Sequence, residues 1–405
     1  MRLTDRSRTI ECQRCPRARF MGYEWGGRGV VPPALAIELV TGAATHVGVG
    51  DLLLGESLEN AVVHARIAFD RELEGRRLGG EMDEALAYAR LEQLTLVEML
   101  VRLYHARQLP TLLEEYAVLS VEREIVLPLT PELGWMARAD AILRRRADGD
   151  LYVYSLKTCN EFSERKDEEN RLDMQGISEL AAVEHLMGER VQGVKMEFLV
   201  KGKRDRYTEW KQDSPLVRPW RKQEQFGVQW SRQNRVPCAN PAECKYHRNR
   251  HSDNPYHELK EGWDRVPVWE YMTPREWFDQ LASGQIAPEG DAFEGLIVTP
   301  VPYYRNQEDV GRWRRQVTAQ ETCVAEDARA VCAAVASGDP VRAEAVADEC
   351  FPQFKRSCVW PSKCAYYEAP GGCLGTGVTL MDPLGNGMQW RKEHHQPEID
   401  ARGEG

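Results

Sequence analysis

A chain of 405 residues, 42% hydrophobic and 29% charged, is long enough for one large domain or two modest ones and has the composition of a globular protein. No run approaches the roughly 18 consecutive apolar residues of a membrane span. The opening MRLTDRSRTIECQRC has no apolar segment behind its arginines, so a cytoplasmic protein without a secretory leader or a membrane partner is expected. The net charge of −10 weighs against nucleic acid, but residues 201–250 carry 13 Lys/Arg against 5 Asp/Glu, and residues 1–28 carry 7 Arg against 3 acids.

In chain order, Cys12 to Phe20 reads as a short arginine-rich helical start, and Ala34 to Leu54 as a helix containing Gly42 and His46. Met82 to His105 is a clearer helix, because Leu91, Leu94, Val97, Val101 and Tyr104 recur at three- and four-residue spacing. The period then changes. Val118 to Leu129, Trp135 to Leu143 and Leu151 to Leu156 predict three strands, separated by Pro128 and Pro131 and by the Ala147-Asp-Gly-Asp150 turn. A polar stretch from Ser163 to Asn170 leads into a helix over Asp173 to Met187, stopped by Gly188, and then a strand over Val194 to Val200. A strand over Gly295 to Tyr304 and a helix over Glu308 to Ala336 precede the cysteine-rich end. This order predicts a mixed α/β sheet flanked by helices. The expected divisions are a core over 1–201, a basic tryptophan-rich insertion over 202–290, a C-terminal part of the core over 291–375 and a flexible tail over 376–405.

The most informative stretch runs from Asp140 through a tight turn to Ser155-Leu-Lys157-Thr158. Side chains alternate along a strand, so Ser155 and Lys157 share a face, and an antiparallel neighbour can bring Asp140 beside them. A carboxylate with a second oxygen ligand can hold Mg²⁺ or Mn²⁺, and a lysine can orient a water and offset charge developing on a phosphate. Each residue alone has an ordinary explanation: a core or surface histidine, a turn aspartate, a surface amide. The ordered set Gly42-Ala-Ala-Thr-His46, Asp140, Lys157 and Asp173-Met-Gln175 resembles the PD-(D/E)XK nucleases, in particular their RecB-like exonuclease branch. That resemblance implies a restriction-endonuclease-like fold. It makes His46 a metal ligand, Asp140 the first acid and Lys157 the motif lysine, and it sets Gln175 on a helix that contacts the active site or DNA.

The chain departs from that pattern at Ser155, where the family has Asp or Glu. Three readings are open. The acid has migrated to the following helix, with Glu179, four residues after Gln175, the first candidate and Glu168 and Glu169 weaker ones. Alternatively a backbone carbonyl, the Ser155 hydroxyl and waters complete a weak site. The third reading is that catalysis is lost and binding kept.

Eleven cysteines, an odd number, argue for metal sites or free thiols rather than a disulfide framework. Cys358, Cys364 and Cys373 are one ligand short of a four-thiolate site. In the iron–sulfur members of the resembled family the missing ligand comes from an N-terminal Cys-Pro-Arg motif, which Cys15-Pro16-Arg17 matches better than Cys12 does. The implied cofactor is an iron–sulfur (4Fe-4S) cluster closing a loop of about 340 residues, with an entropic effect on the order of several kcal/mol. Zinc on the same thiolates and free buried cysteines are the alternatives. A second set, Cys238, Cys244, His247 and His251, suits zinc by ligand type but not by its Cys–Cys gap, and also reads as part of a basic loop.

Within the insertion, Lys203, Arg204, Arg206, Arg218, Arg221 and Lys222 interleave with Tyr207, Trp210 and Trp220, and Trp230 follows. With Lys201 at its entrance, and Arg17 and Arg19 near the N-terminal cysteines, these are phosphate-contact candidates for single-stranded or frayed DNA. The tryptophans equally suit anchoring of a long insertion. The expected function is a metal-dependent, exonuclease-like deoxyribonuclease of DNA recombination, repair or processing, of cellular or phage origin. The alternative is a nuclease-derived DNA-binding or structural subunit. No P-loop pattern is present, so a helicase or recombination partner would be a separate chain.

Overall fold

The computed structural model describes residues 1–32, 37–76, 84–159, 162–201, 205–211, 234–237, 256–259, 265–271, 297–358, 364–367 and 380–391. It divides into two compact units. One holds residues 1–158, 162–199 and 298–405, and the other holds 159–161 and 200–297.

The larger unit is α/β. A mixed six-stranded sheet is built from β1 (Arg2–Thr4), β3 (Tyr116–Pro128), β4 (Leu133–Arg145), β5 (Leu151–Cys159), β6 (Val191–Val200) and β11 (Ile297–Val298), in the order β1-β4-β5-β6-β11 with β3 also on β4. A separate short strand, β2, covers Val30–Val31. Strand β5 is buried over Leu151–Leu156, and β4 is buried over Leu133–Ala137, as expected of strands covered on both faces.

Strand β4 has an unusual set of partners. It pairs with β3 along its length, antiparallel, while its other edge pairs in parallel with β1 at Leu133–Trp135 and antiparallel with β5 at Ala141–Arg144. Residues Met136 to Asp140 on that second edge lie between the two partners. That opening places the site.

Helices α3 (Ile37–Leu53), α4 (Leu58–Arg76) and α5 (Glu84–Arg107) pack on one another. A Cβ on Gly48 would lie 2.6 Å from Val101 and 3.0 Å from Ala65, so this glycine sets the close approach of the three helices. Helix α4 is not evident in the sequence. Its buried face, Ala61, Val62, Ala65, Phe69 and Leu73, is narrow beneath a largely exposed charged surface.

Helix α8 (Met174–Met187) begins at the Asp173 cap and ends at Gly188 with φ 66°, as the sequence suggests. The stretch before it is itself a helix, α7 (Glu164–Leu172). It buries nothing, but Ser163 caps it and Glu164 and Asp167 occupy its first turn, where they complement the helix dipole. Of the long strand expected over Gly295 to Tyr304, the described residues form β11 and a single bridge between Val194 and Tyr303.

Toward the C-terminus, α9 (Gln307–Ala336) and α10 (Pro340–Cys350) return to the N-terminal helices α1 (Arg6–Arg14) and α2 (Pro16–Arg19). Phe20, Met21, Val30, Val331, Phe351, Tyr366 and Met388 belong to one buried cluster there. Beside it, the fully buried Arg19 donates to Glu321 (2.9 Å) and Glu24 (2.8 Å), and Arg2 reaches Glu24 at 2.9 Å.

Residues 380–391, expected within a flexible tail, are held. The short strand β12 (Gln389–Trp390) pairs with β2, Trp390 stacks on Trp25 with centroids 5.4 Å apart, and Trp25 Nε1 donates to the Leu380 carbonyl. Their apolar side chains find a binding surface on the N-terminal segment. Residues 392–405 lie outside the described residues.

In the second unit, β7 (Asp205–Lys211) pairs antiparallel with β10 (Arg265–Tyr271), and β8 (Asn234–Pro237) with β9 (Tyr256–Leu259). Among the described residues, no helix is long and apolar enough to cross a membrane.

Candidate metal centre

Three elements converge on the opening in β4. Helix α3 presents Gly42, His46 and Gly50, spaced by four, on one face. Side chains at the two glycines would begin 2.8 Å from Thr158 Oγ1 and 3.3 Å from Val121 Cγ1, so the helix lies directly on the strands. His46 then projects onto Asp140, with Nδ1 to Oδ1 at 3.2 Å.

Asp140 stands where the β4–β5 ladder stops, its last pair being Ala141 with Tyr154. Its Oδ2 accepts the Leu156 N–H at 2.7 Å, satisfying a donor that the diverging strands leave without a carbonyl. Across from it on β3, Val121 faces Ala141 and Arg123 faces Ala139, which puts Glu122 opposite Asp140. Glu122 is the one described non-glycine residue with positive φ, 48°, a backbone state that is retained where the surroundings enforce it. Its Oε1 is 3.9 Å from His46 Nδ1. His46, Glu122 and Asp140 each offer a ligand atom, all within 4.8 Å of one another. An imidazole and two carboxylates form an ordinary donor set for a divalent metal ion.

Lys157 and helix α8 close the site. The Lys157 ammonium donates to Gln175 Oε1 (2.8 Å), and the Gln175 amide donates to Glu179 Oε1 (2.6 Å). Arg6 makes a two-point ion pair with Asp173 at 2.6 and 2.5 Å, anchoring the cap that starts this helix. Tyr303 packs on Gly176, where a Cβ would fall 1.6 Å from its hydroxyl. Three buried polar atoms here find no hydrogen-bond partner among the described residues: Glu179 Oε2, Ser155 Oγ and Tyr303 OH.

Electrostatics separate the three carboxyls. Burial opposes ionisation of Asp140, but His46, Lys157 and the Leu156 N–H outweigh it and hold Asp140 below the usual range. Burial and the Asp140 charge push Glu122 upward. Glu179, fully desolvated, is pushed up to about 8 against the pull of Lys157.

The sequence-derived residues fare unequally. His46 and Asp140 meet, and Lys157, Gln175 and Glu179 form one hydrogen-bonded chain beside them. Glu179, expected as the third metal ligand, lies outside the His46 group, and Glu122, opposite Asp140 on β3, stands in its place. Glu168 and Glu169 lie on α7, outside that group too. Ser155 is fully buried. The signal that finds Glu122 is strand register: with Leu127 opposite Trp135, counting outward from the Pro128–Leu133 turn reaches the pair of Glu122 and Asp140.

Arg17 and Arg19, expected to touch phosphates, are corrected by their burial. Arg17 donates to the Phe351 carbonyl, Glu344 and Asp348, and Arg19 to Glu24 and Glu321, so both cations are internal. Lys201 is half-buried, while Lys203 and Arg204 lie outside the described residues, as do Cys373, Trp220, Trp230 and the Cys238, Cys244, His247 and His251 set. The side chains of Arg206, Tyr207 and Trp210 are not described either.

Cys15 is buried at the start of α2, and burial raises the thiols of both Cys358 and Cys364, with Cys15 close enough to add to the effect. The Cys364 N–H bonds the Cys358 carbonyl at 2.8 Å. Cys15 itself belongs to the apolar cluster of the chain ends, and Cys12, Cys332, Cys350 and Cys364 all pack against it.

No model of a known protein family matches the sequence, and a search of curated proteins finds no match.

Proposed function

We propose that this protein is a divalent-metal-dependent deoxyribonuclease of the PD-(D/E)XK kind, resembling the RecB-like exonucleases, with His46, Glu122 and Asp140 as its metal ligands. The observation that carries this reading is the meeting of those three side chains within 4.8 Å, beside a lysine fixed by Gln175. A bound Mg²⁺ or Mn²⁺ would polarise a phosphate oxygen and lower the pKa of a water. The protein's own part is positioning. The Leu156 N–H and His46 orient Asp140, and Gln175 aims the Lys157 ammonium at the region where negative charge grows as the phosphodiester is attacked. Glu122 supplies from β3 the carboxylate that Ser155 does not, which extends the migrated-acid idea to a different strand.

Cys15, Cys358 and Cys364 fit the thiolate set of an iron–sulfur cluster, with Cys373 as the fourth ligand. Tetrahedral zinc, with bonds of about 2.3 Å, would draw sulfurs to about 3.8 Å. A polynuclear iron–sulfur cluster takes the same thiolate ligands, so the metal content decides between the two. Preparation without oxygen should give brown protein containing iron; colourless protein with stoichiometric zinc overturns that assignment.

A second reading, a binding subunit without turnover, draws on Ser155, whose buried hydroxyl cannot replace a carboxylate. An assay on single- and double-stranded DNA with Mg²⁺ and Mn²⁺ separates the two. Cleavage is expected, and Asp140→Asn or Lys157→Ala should lower it by at least about a hundredfold. DNA binding without cleavage by the wild type would establish the second reading.

A further inference from the structure

Arg138 lies two residues before Asp140, on the same face of β4. Its Nε is 3.1 Å from Glu122 Oε2, so the carboxylate that approaches His46 through one oxygen holds a guanidinium through the other. Exposure rises outward through this group: the side chains of Asp140, Glu122 and Arg138 are 15%, 33% and 54% exposed. The guanidinium is therefore the outermost layer, set over a carboxylate pair.

Two cations compete for Glu122. A divalent ion ligated there withdraws the carboxylate's charge from Arg138 and adds a like charge beside it, weakening the ion pair. A half-exposed guanidinium released at this point has the planar fork that matches two phosphate oxygens.

We propose that Arg138 is a phosphate-binding residue of this site, held by Glu122 until a divalent cation takes that carboxylate. Metal loading and substrate contact are then linked through one side chain, and the ligand of Arg138 is the backbone phosphate of DNA. This rests on the reading of His46, Glu122 and Asp140 as a metal centre.

The test uses the full chain as wild type, Arg138→Ala, Arg138→Lys and His46→Ala. Mn²⁺ binding is followed by calorimetry, and binding of a labelled single-stranded oligonucleotide is measured with and without Ca²⁺ over a salt series. Removing the competing cation should make Arg138→Ala bind Mn²⁺ about threefold more tightly, the scale of one partly exposed ion pair. The same variant should bind DNA about tenfold more weakly with Ca²⁺ and lose about one from the salt slope. Without divalent ion its affinity should be unchanged. Arg138→Lys keeps the charge but not the fork, so its Mn²⁺ affinity should stay near wild type while its DNA affinity in Ca²⁺ falls part-way.

An Arg138→Ala protein with unaltered Mn²⁺ affinity, or with DNA binding weakened equally in the presence and absence of Ca²⁺, overturns the proposal and leaves the metal centre standing. Wild type and His46→Ala titrating identically with Mn²⁺ overturns the metal centre, and the proposal with it.

Discussion

Two regions of the larger unit bury charged groups, and they do so in opposite ways. Around Arg19, every charge has an answer. The guanidinium is shared between Glu24 and Glu321, Arg2 joins Glu24, and Thr9 donates to Glu321 (3.2 Å). Around Asp140, two carboxylates face one imidazole, and Glu179 Oε2, Ser155 Oγ and Tyr303 OH are buried without partners among the described residues. A closed ionic network specifies how chain segments dock; a partly open one stores unmet hydrogen-bonding capacity that a ligand can use. Basic sequence alone does not tell them apart, which is why Arg17 and Arg19 read as nucleic-acid contacts from sequence.

The comparison breaks most sharply on the two acidic side chains that could replace the carboxylate missing at Ser155. Glu122→Gln should lower cleavage about a thousandfold, because it removes a ligand's negative charge from the His46 and Asp140 group. Glu179→Gln keeps an oxygen to accept from Gln175 and leaves that group intact, so its loss should stay under about tenfold. Initial rates in Mn²⁺ decide between them. The reverse ranking would return the third ligand to α8.

The closed network should answer to stability instead of activity. Glu321→Gln leaves Arg19 fully buried with one of its two carboxylate partners gone, at a cost of about 3 kcal/mol. Thermal unfolding should show it as a lowered midpoint, while cleavage per folded molecule is unchanged. A midpoint within a degree of wild type would mean that the apolar cluster of Phe20, Val331 and Phe351 suffices to join the chain ends.

Much of this architecture was legible in local patterns. The Asp173 cap, the Gly188 stop and the hairpin on either side of Pro128 are short-range signals, and the structure places α8, β3 and β4 within a few residues of where those signals put them. The pairing of His46 with Asp140 was expected from motif order, and the approach of α3 through Gly42 and Gly50 gives its physical reason. Glu122 has no local signal, because its own neighbourhood, Ser-Val-Glu-Arg-Glu, carries no motif; its meaning comes only from strand register. The fates of Arg17 and Arg19 depend on contacts more than three hundred residues away, with Phe351 and Glu321, which no local pattern reports.

The smallest expected effect is a pH slope that tags the open region. A carboxyl raised in the folded state binds a proton that the unfolded chain has lost, so stability falls as pH rises from the unfolded value to the folded one. Glu197, buried and accepting from Gln108, Tyr154 and Thr299, is pushed up to about 7, chiefly by burial. Glu179 reaches about 8. Both contribute from about pH 4.5 to 7, but between 7 and 8 only Glu179 still loses its proton on unfolding, a slope of about 1.4 kcal/mol per pH unit. Denaturant unfolding at pH 7 and 8 should therefore show a fall that Glu179→Gln removes and Glu197→Gln does not. If Glu197→Gln flattened that interval instead, the strained desolvation would belong to the tyrosine-lined core, and Glu179 would be solvated or ion-paired in solution.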